Sequence, residues 1–479
     1  MTTVRIPADA ITTLQDTLLQ DDRERIAFCP CSASGDSLLV SSVDPVPADE
    51  MAVMTPTRCA VTEATDRQFI EHCLATDRHP LIVHSHPAGP DRFTDQDQDA
   101  IAAYTWITDL VDDLTILFGV LTPSQFHITQ WDPATETPVP VPARIIGAWT
   151  LSDPPEIQPT TETETDTVDP AVYDRNIRCF LEPGQQALAD THVAVVGCGG
   201  IGSLLAQHLA GLGVQTVTFI DPDQIESSNL PRIPQARQGD TGAYKVSILQ
   251  EQYVQRVPDA ATTAVTTPVQ DAASYLQDVD VILAGLDRIT PRMWLNRYAT
   301  EHLTPYIDAG SRIDITDDQV TDMAAYIQTI APGTDTACFD CLDRGDTETM
   351  RREHLSRDEL EDEVEQGYIA ETALSPEPAV IHLNGIAASL AAETLTKLVT
   401  GYDTPPSFLH YDGLHNDLAR LTTHRNTHCY TCTRFTATGD TTPPADDPEI
   451  DLPRPRSAQT DTQSVYQIPD AVTAYFDHL

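Results

Sequence analysis

The chain has 479 residues, long enough for two or three domains with full hydrophobic cores. It carries 73 acidic against 28 basic residues, a net charge of −45, and just two lysines, Lys245 and Lys397; so negative a surface argues against nucleic acid and anionic membrane as partners. With 41% apolar residues in recurring periodic segments it is not an acidic disordered chain. The balance suits a folded protein working in concentrated salt, as in a halophilic archaeon.

The opening residues hold no apolar signal core and no apolar run approaches membrane-spanning length, so we expect a soluble, cytoplasmic protein. In chain order, residues 1–132 predict a compact αβ unit. It has a helix near 7–20, strands around 24–30, 37–43 and 81–84, a helix from about Asp95, and strands over 115–120 and 126–131. Residues 133–168 turn to Pro, Thr and Glu and predict a linker, in which 143–149 is the segment apolar enough to dock back. The unit 169–435 opens strand–helix–strand over 192–221, with further strands at 279–287 and 304–310 of a mostly parallel sheet. Residues 382–401 predict a long apolar helix stopped by Gly401, and 436–479 an acidic, disordered-like tail.

Two constellations carry chemistry. His84 and His86 stand two apart at the end of an apolar strand, which sends both rings to one face, and Asp97 follows about one turn into the next helix. Two imidazoles and a carboxylate with one position left open are the donors of a catalytic zinc, whose bound water becomes nucleophilic near neutrality. Glu24, at the edge of a strand, is the candidate base for that water, and the Thr94 hydroxyl a candidate donor to the oxyanion. The bland alternative for Thr94-x-x-Asp97 is a helix cap.

With seven residues between His86 and Thr94, this pattern resembles the JAB/JAMM metalloproteases over about residues 1–132. The resemblance implies an αβα metalloprotease domain, zinc on His84, His86 and Asp97, and cleavage of peptide or isopeptide bonds after ubiquitin-like proteins. Thr94 departs from the family's usual serine, keeping the hydroxyl and adding a methyl.

The second constellation is Gly197-x-Gly199-Gly200-x-Gly202, placed after a strand and opening a helix, where backbone amides and the helix dipole hold phosphate. Alone it also permits an NAD site, with Asp221 on a ribose in either case. Downstream come Asp223, Asn229, Arg232 and, thirteen residues later, Lys245. Forming an acyl adenylate requires cations on the phosphates, which Arg232 and Lys245 can supply, and a carboxylate for magnesium, for which Asp287 is placed. A lysine at 245 in a chain that otherwise uses arginine is informative, because a compact ammonium suits one phosphate oxygen better than a rigid fork does.

By these residues the chain from Tyr173 to Cys432 resembles the ThiF/MoeB/HesA family, whose Rossmann-like fold is shared with ubiquitin-activating enzymes. The resemblance implies an adenylyltransferase using ATP and Mg2+, and a homodimer in which Arg175 reaches the partner's ATP site in trans. Asn176 stands where the family has glutamine. For Arg292 and Asn296, a packed helix face is nearly as good a reading as a site role.

Cys338-x-x-Cys341 and Cys429-x-x-Cys432 complete the match and predict a second, structural zinc, closed by four sulfurs across 87 intervening residues. Those residues, 342–428, hold no cysteine where thioester-forming relatives carry one. The adenylate would then pass directly to a separate thiol, unless Cys179, Cys198 or another cysteine serves.

Together these readings predict a two-domain α/β enzyme of a prokaryotic ubiquitin-like or sulfur-carrier pathway. It would adenylate a small carrier ending in diglycine and cleave that carrier by zinc hydrolysis, beside a conjugating enzyme or sulfurtransferase. The alternatives are sulfur-carrier activation for thiamine, molybdopterin or tRNA thiolation without conjugation, and a non-catalytic scaffold.

Overall fold

The computed structural model describes residues 2–104, 111, 114–132, 135, 137–147, 168–369 and 377–439, and the backbone of 156–157. Most of the predicted linker and nearly all of the predicted tail lie outside the described residues.

The N-terminal half is built on one sheet. Its strands are β1 (Thr3–Pro7), β2 (Ile26–Ser34), β3 (Ser37–Val40), β4 (Asp44–Pro45), β7 (His79–Ser85), β8 (Leu117–Leu121), β9 (Gln125–Asp132), β10 (Thr137–Pro140), β11 (Ala143–Ile146) and β12 (Glu156–Ile157), while β5 (Met51–Thr55) and β6 (Arg58–Val61) pair as a separate hairpin. The order is β10-β9-β8-β7-β2-β3-β1-β11, with β4 on β2 and β12 on β9. Helix Ala8–Leu18 buries Ile11, Leu14 and Leu18 on one face of this sheet; helices Glu63–Ala75 and Asp95–Ala102 bury Phe69, Ile70, Cys73 and Ile101 on the other.

The unit extends beyond the predicted boundary at 132. Residues 137–140 pair with β9, and 143–146 lie parallel to β1, so the docking expected for 143–149 occurs at the far edge of the sheet. Strand β1, helix Glu63–Ala75 and the hairpin β5–β6 carry no signal that we read from the sequence.

The C-terminal half has strands β13 (His192–Val196), β14 (Thr216–Ile220), β15 (Ala261–Val265), β16 (Val281–Ala284), β17 (Tyr306–Thr316), β18 (Gln319–Ile330), β19 (Phe408–Asp412) and β20 (Asp417–Leu421). Their order is β15-β14-β13-β16-β17-β18-β19-β20, parallel through β17 and antiparallel beyond it. The strand order therefore reverses between β13 and β16, where ligands bind in doubly wound sheets. The helices Gly200–Leu212 and Ile381–Thr400 pack on one face, burying Leu205, Leu209, Ala387, Ala391 and Leu395. Among the described residues no helix is long and apolar enough to cross a membrane.

The two halves are locked together at the end of the second sheet opposite its strand-tip site. Arg5, 4% exposed, donates to the carbonyl oxygens of His302 (3.0 Å) and Gln277 (2.8 Å) and to the Thr304 hydroxyl (2.8 Å). Ser34 Oγ lies 2.8 Å from His302 Nδ1, and Leu39, Ile146, Leu303 and Ala437 close an apolar seam. Arg5→Met leaves several buried acceptors without their donor, so we expect a loss of about 3 kcal/mol in urea unfolding. An unchanged midpoint would mean that the halves unfold without using this contact.

Candidate functional site

Two groups of polar side chains stand out, one in each half. In the N-terminal half, antiparallel pairing sets Ile26 opposite His84, which places Glu24 level with His86 on the same face. His84 Nε2 and His86 Nε2 lie 3.1 Å apart, His84 Nε2 is 3.2 Å from Asp97 Oδ1, and His86 Nε2 is 3.5 Å from Asp97 Oδ2. Donor atoms held at about 2.0–2.1 Å from a tetrahedral zinc lie about 3.3 Å from one another, close to the separation of the two imidazole nitrogens and to the approach of each to one of the two Asp97 oxygens. The second nitrogen of His86, Nδ1, faces the Pro90 carbonyl at 3.0 Å, the kind of outer contact that fixes a ligand's tautomer.

Glu24 Oε1 stands 3.9 Å from His86 Nε2, and the side chain is buried. Burial pushes its carboxyl above the usual carboxylate range, against the pull of His86 and His84. Burial likewise works to lower His86, but Asp97, the Pro90 carbonyl and Glu24 outweigh it and raise that imidazole. Asp97 is half-buried, which works to raise its carboxyl, yet the two histidines and Thr94 draw it far below the usual range.

Thr94 does act as a helix cap. Asp97 N–H donates to Thr94 Oγ1 at 3.3 Å, and both the Thr94 N–H and its hydroxyl donate to Asp97 Oδ2 at 2.6 Å. The hydroxyl therefore steadies the Asp97 carboxylate, and a role toward an oxyanion would require it to turn away from Asp97.

In the C-terminal half, the glycine turn sits at the strand-order reversal. Gly197 has φ +84°, and a Cβ on Gly202 would overlap the Gly197 carbonyl, so the turn closes only with glycine at these positions. A Cβ at Gly200 would overlap the Asn384 amide, whereas one at Gly199 would meet nothing within 4 Å, leaving that side of the cradle open for a phosphate. Asp221, at the tip of β14, holds the turn: its Oδ2 accepts from Cys198 N–H at 2.7 Å and its Oδ1 from Asp223 N–H at 2.8 Å. Burial raises the Asp221 carboxyl, partly offset by Lys245.

Lys245 Nζ lies 2.6 Å from Asp223 Oδ2 and 3.7 Å from Asp221 Oδ1. Burial works to lower this ammonium, but Asp221, Asp223 and Asp287 together raise it, so it stays charged. Arg232 donates to Ser228 O at 3.3 Å, and its stem flanks Gly200. Asn229 is buried within its own turn, where its Oδ1 accepts from Glu226 N–H at 3.1 Å. Asp287 is exposed just past β16, and Arg175 is exposed at the start of helix Asp174–Asp190.

Arg292 and Asn296 belong to the packed reading. Arg292 is buried against Asp308 and Tyr326, and Asn296 Oδ1 accepts from Phe339 N–H at 2.9 Å. Sequence reasoning missed Asp308, Arg344 and Asn384, which are far apart in the chain and lack a shared spacing. It also missed Glu353, whose carboxylate accepts from Ile289 N–H (2.6 Å) and Thr290 N–H (2.9 Å) and so caps the helix that follows Asp287.

The four predicted zinc cysteines come together, with Sγ–Sγ separations of 3.6 Å (Cys338–Cys341), 3.6 Å (Cys338–Cys429) and 3.7 Å (Cys341–Cys432). Four sulfurs at about 2.3 Å from a tetrahedral zinc stand about 3.8 Å apart, so this donor set fits a closed structural ion. Cys198 is fully buried and burial pushes its thiol well up, which removes it as a thioester nucleophile.

The "ThiF family" model matches residues 173–431. The chain is 33% identical over 158 residues to tRNA threonylcarbamoyladenosine dehydratase of Escherichia coli, covering 32% of this chain and 59% of that one. It is 29% identical over 266 residues to the molybdopterin-synthase adenylyltransferase of the same organism (54% and 95%). With the sulfur carrier protein ThiS adenylyltransferase of E. coli the identity is 27% over 252 residues (52% and 88%). The family match stops short of the half that holds His84, His86 and Asp97.

Proposed function

The chain belongs to the ThiF family, and from that premise we propose that its C-terminal half uses MgATP to adenylate the C-terminal glycine of a small ubiquitin-like or sulfur-carrier protein. The observation that carries this reading is the buried-stem ammonium of Lys245, held by Asp221 and Asp223 beside a glycine cradle with an open side at Gly199. Two relatives whose names describe adenylyltransferases support it, one acting on a sulfur carrier.

In this proposal the amides of the glycine turn and the cations Lys245 and Arg232 hold the phosphates, with Asp223 setting the Lys245 ammonium. Asp221 and Asn229 shape the ribose side, and Asp287 would hold magnesium, which neutralises phosphate charge when bound. Arg175 completes the site in trans across a homodimer. Residues 342–428 lack cysteine and Cys198 is buried, which leaves Cys179 as the exposed thiol between them and the N-terminal half. In this proposal the activated carrier passes to a thiol or sulfur donor on another protein, and Cys179→Ser should leave that transfer unchanged.

The N-terminal half, by its resemblance to JAB/JAMM proteases and its donor geometry, would be a zinc hydrolase that trims the carrier or removes it from targets. His84, His86 and Asp97 would hold zinc, which supplies a nucleophilic water at neutral pH when bound. Glu24, raised by burial and within 3.9 Å of His86, is the group that takes the proton.

The adenylation proposal is tested by ATP–pyrophosphate exchange with candidate diglycine-ended proteins. We expect exchange with at least one carrier, and Asp287→Ala to reduce it about 100-fold. No exchange with any such protein defeats the activating role. Thiocarboxylate on the carrier, without carrier–protein adducts, would identify sulfur transfer rather than conjugation.

A further inference from the structure

Behind the strand tips, between the cysteine knuckle and the Leu286–Asp287 turn, lies a buried charge cluster that the proposed chemistry does not use. Asp308 sits in β17 level with Ala284 of β16 and is fully buried. Its Oδ1 accepts from the Tyr306 hydroxyl at 2.9 Å. Two guanidinium groups face it: Arg292 Nε at 3.5 Å from Oδ1 and Arg344 Nη1 at 3.6 Å from Oδ2.

Each arginine ties Asp308 to something else. Arg292 donates to the carbonyl oxygen of Leu286, the residue before Asp287. Arg344 comes three residues after Cys341, donates to the Gln328 side-chain oxygen, and lies 4.3 Å over the ring of Phe339, which stands between Cys338 and Cys341. Phe339 N–H donates to Asn296, on the same helix as Arg292. An unbroken run of contacts thus joins the four-cysteine knuckle, through Arg344, Asp308 and Arg292, to the turn that presents Asp287.

We propose that Asp308, with Arg292 and Arg344, is a positioning unit that fixes the Leu286–Asp287 turn to the cysteine knuckle and so aims the Asp287 carboxylate at magnesium. The proposal rests on the adenylation reading. Asp308 balances two buried cations, and neutralising it leaves guanidinium facing guanidinium in a dry site, a large penalty. The nearest way to relieve it is for Arg292 to swing off Asp308, which carries Leu286 and Asp287 with it. Outer contacts of this kind change metal affinity by about 10–100-fold when removed.

A role confined to stability predicts no preference between ATP with and without magnesium, and that separates the two ideas. The experiment is calorimetric titration of the full chain with a non-hydrolysable ATP analogue, in Mg2+ buffer and in magnesium-free buffer without chelator, after cysteine-bound zinc content is measured. For Asp308→Asn we expect about tenfold weaker binding of the magnesium complex and less than about twofold change for the metal-free nucleotide, with zinc content unchanged. Arg344→Met keeps one arginine against one aspartate and should fold more readily; it should show the same split at about threefold. Equal weakening of both nucleotides, or no weakening of either, in the folded variants overturns the positioning role. If Asp287→Ala shows no magnesium-dependent loss in the same titration, the magnesium assignment fails instead, and an unmodified chain that binds neither nucleotide sinks the adenylation reading itself.

Discussion

Replacing Lys245 by methionine is expected to lower carrier-dependent ATP–pyrophosphate exchange by about 100- to 1,000-fold, the usual cost of removing one aligned charge from a developing phosphate anion. Methionine keeps the length and most of the apolar stem, so the helix Lys245–Arg256 should persist and the loss should fall on chemistry rather than folding. The variant also leaves Asp221 and Asp223 without their cation next to the cradle, so ATP binding should weaken as well, by repulsion from two carboxylates 2.6–3.7 Å from the lost ammonium. Lys245→Arg tests whether charge alone suffices: a planar fork that replaces a point charge already seated between two carboxylates should recover only part of the rate. Full activity in Lys245→Met would mean that the ammonium serves the glycine turn and not the nucleotide.

Why this half was readable and the other less so follows from where the partners lie in sequence. The glycine turn is contiguous: a strand, a turn and a helix start are one local event, and Gly197 to Gly202 spell it out. The cysteine clamp was also legible, because two Cys-x-x-Cys pairs carry their ligand spacing with them. Glu24 was weaker, since what puts it against His86 is the pairing of Ile26 with His84, a register set across 57 intervening residues.

Proline content misled at 137–140. Pro138 and Pro140 look like linker residues, yet β10 is an edge strand, where a missing N–H costs little. The hairpin β17–β18 turns at Asp317 and Asp318, both with positive φ (52° and 60°). Aspartate tolerates that conformation, but it is a fainter hairpin signal than Asn-Gly. Of the Arg292–Asp308–Arg344 cluster the family resemblance singles out Arg292 alone, since Asp308 and Arg344 look in isolation like any strand or loop residue.

In the N-terminal half the decisive substitution is Glu24→Gln, expected to reduce cleavage of a carrier fusion by about 100- to 10,000-fold, the range for removing a positioned base. Glutamine is isosteric and Glu24 is already largely buried, so packing should survive. The His84, His86 and Asp97 donors are untouched, and zinc content measured by atomic absorption should remain unchanged. That pairing of results is what separates a proton acceptor from a fourth ligand, because loss of a ligand lowers metal content and activity together. His86→Ala gives the contrasting control, losing zinc and cleavage at once. Retained cleavage in Glu24→Gln would assign the proton to another group, and lost zinc would make Glu24 part of the metal shell. If neither unmodified protein nor variant cleaves any diglycine fusion while both hold zinc, the donor set has a structural task and the hydrolase proposal falls.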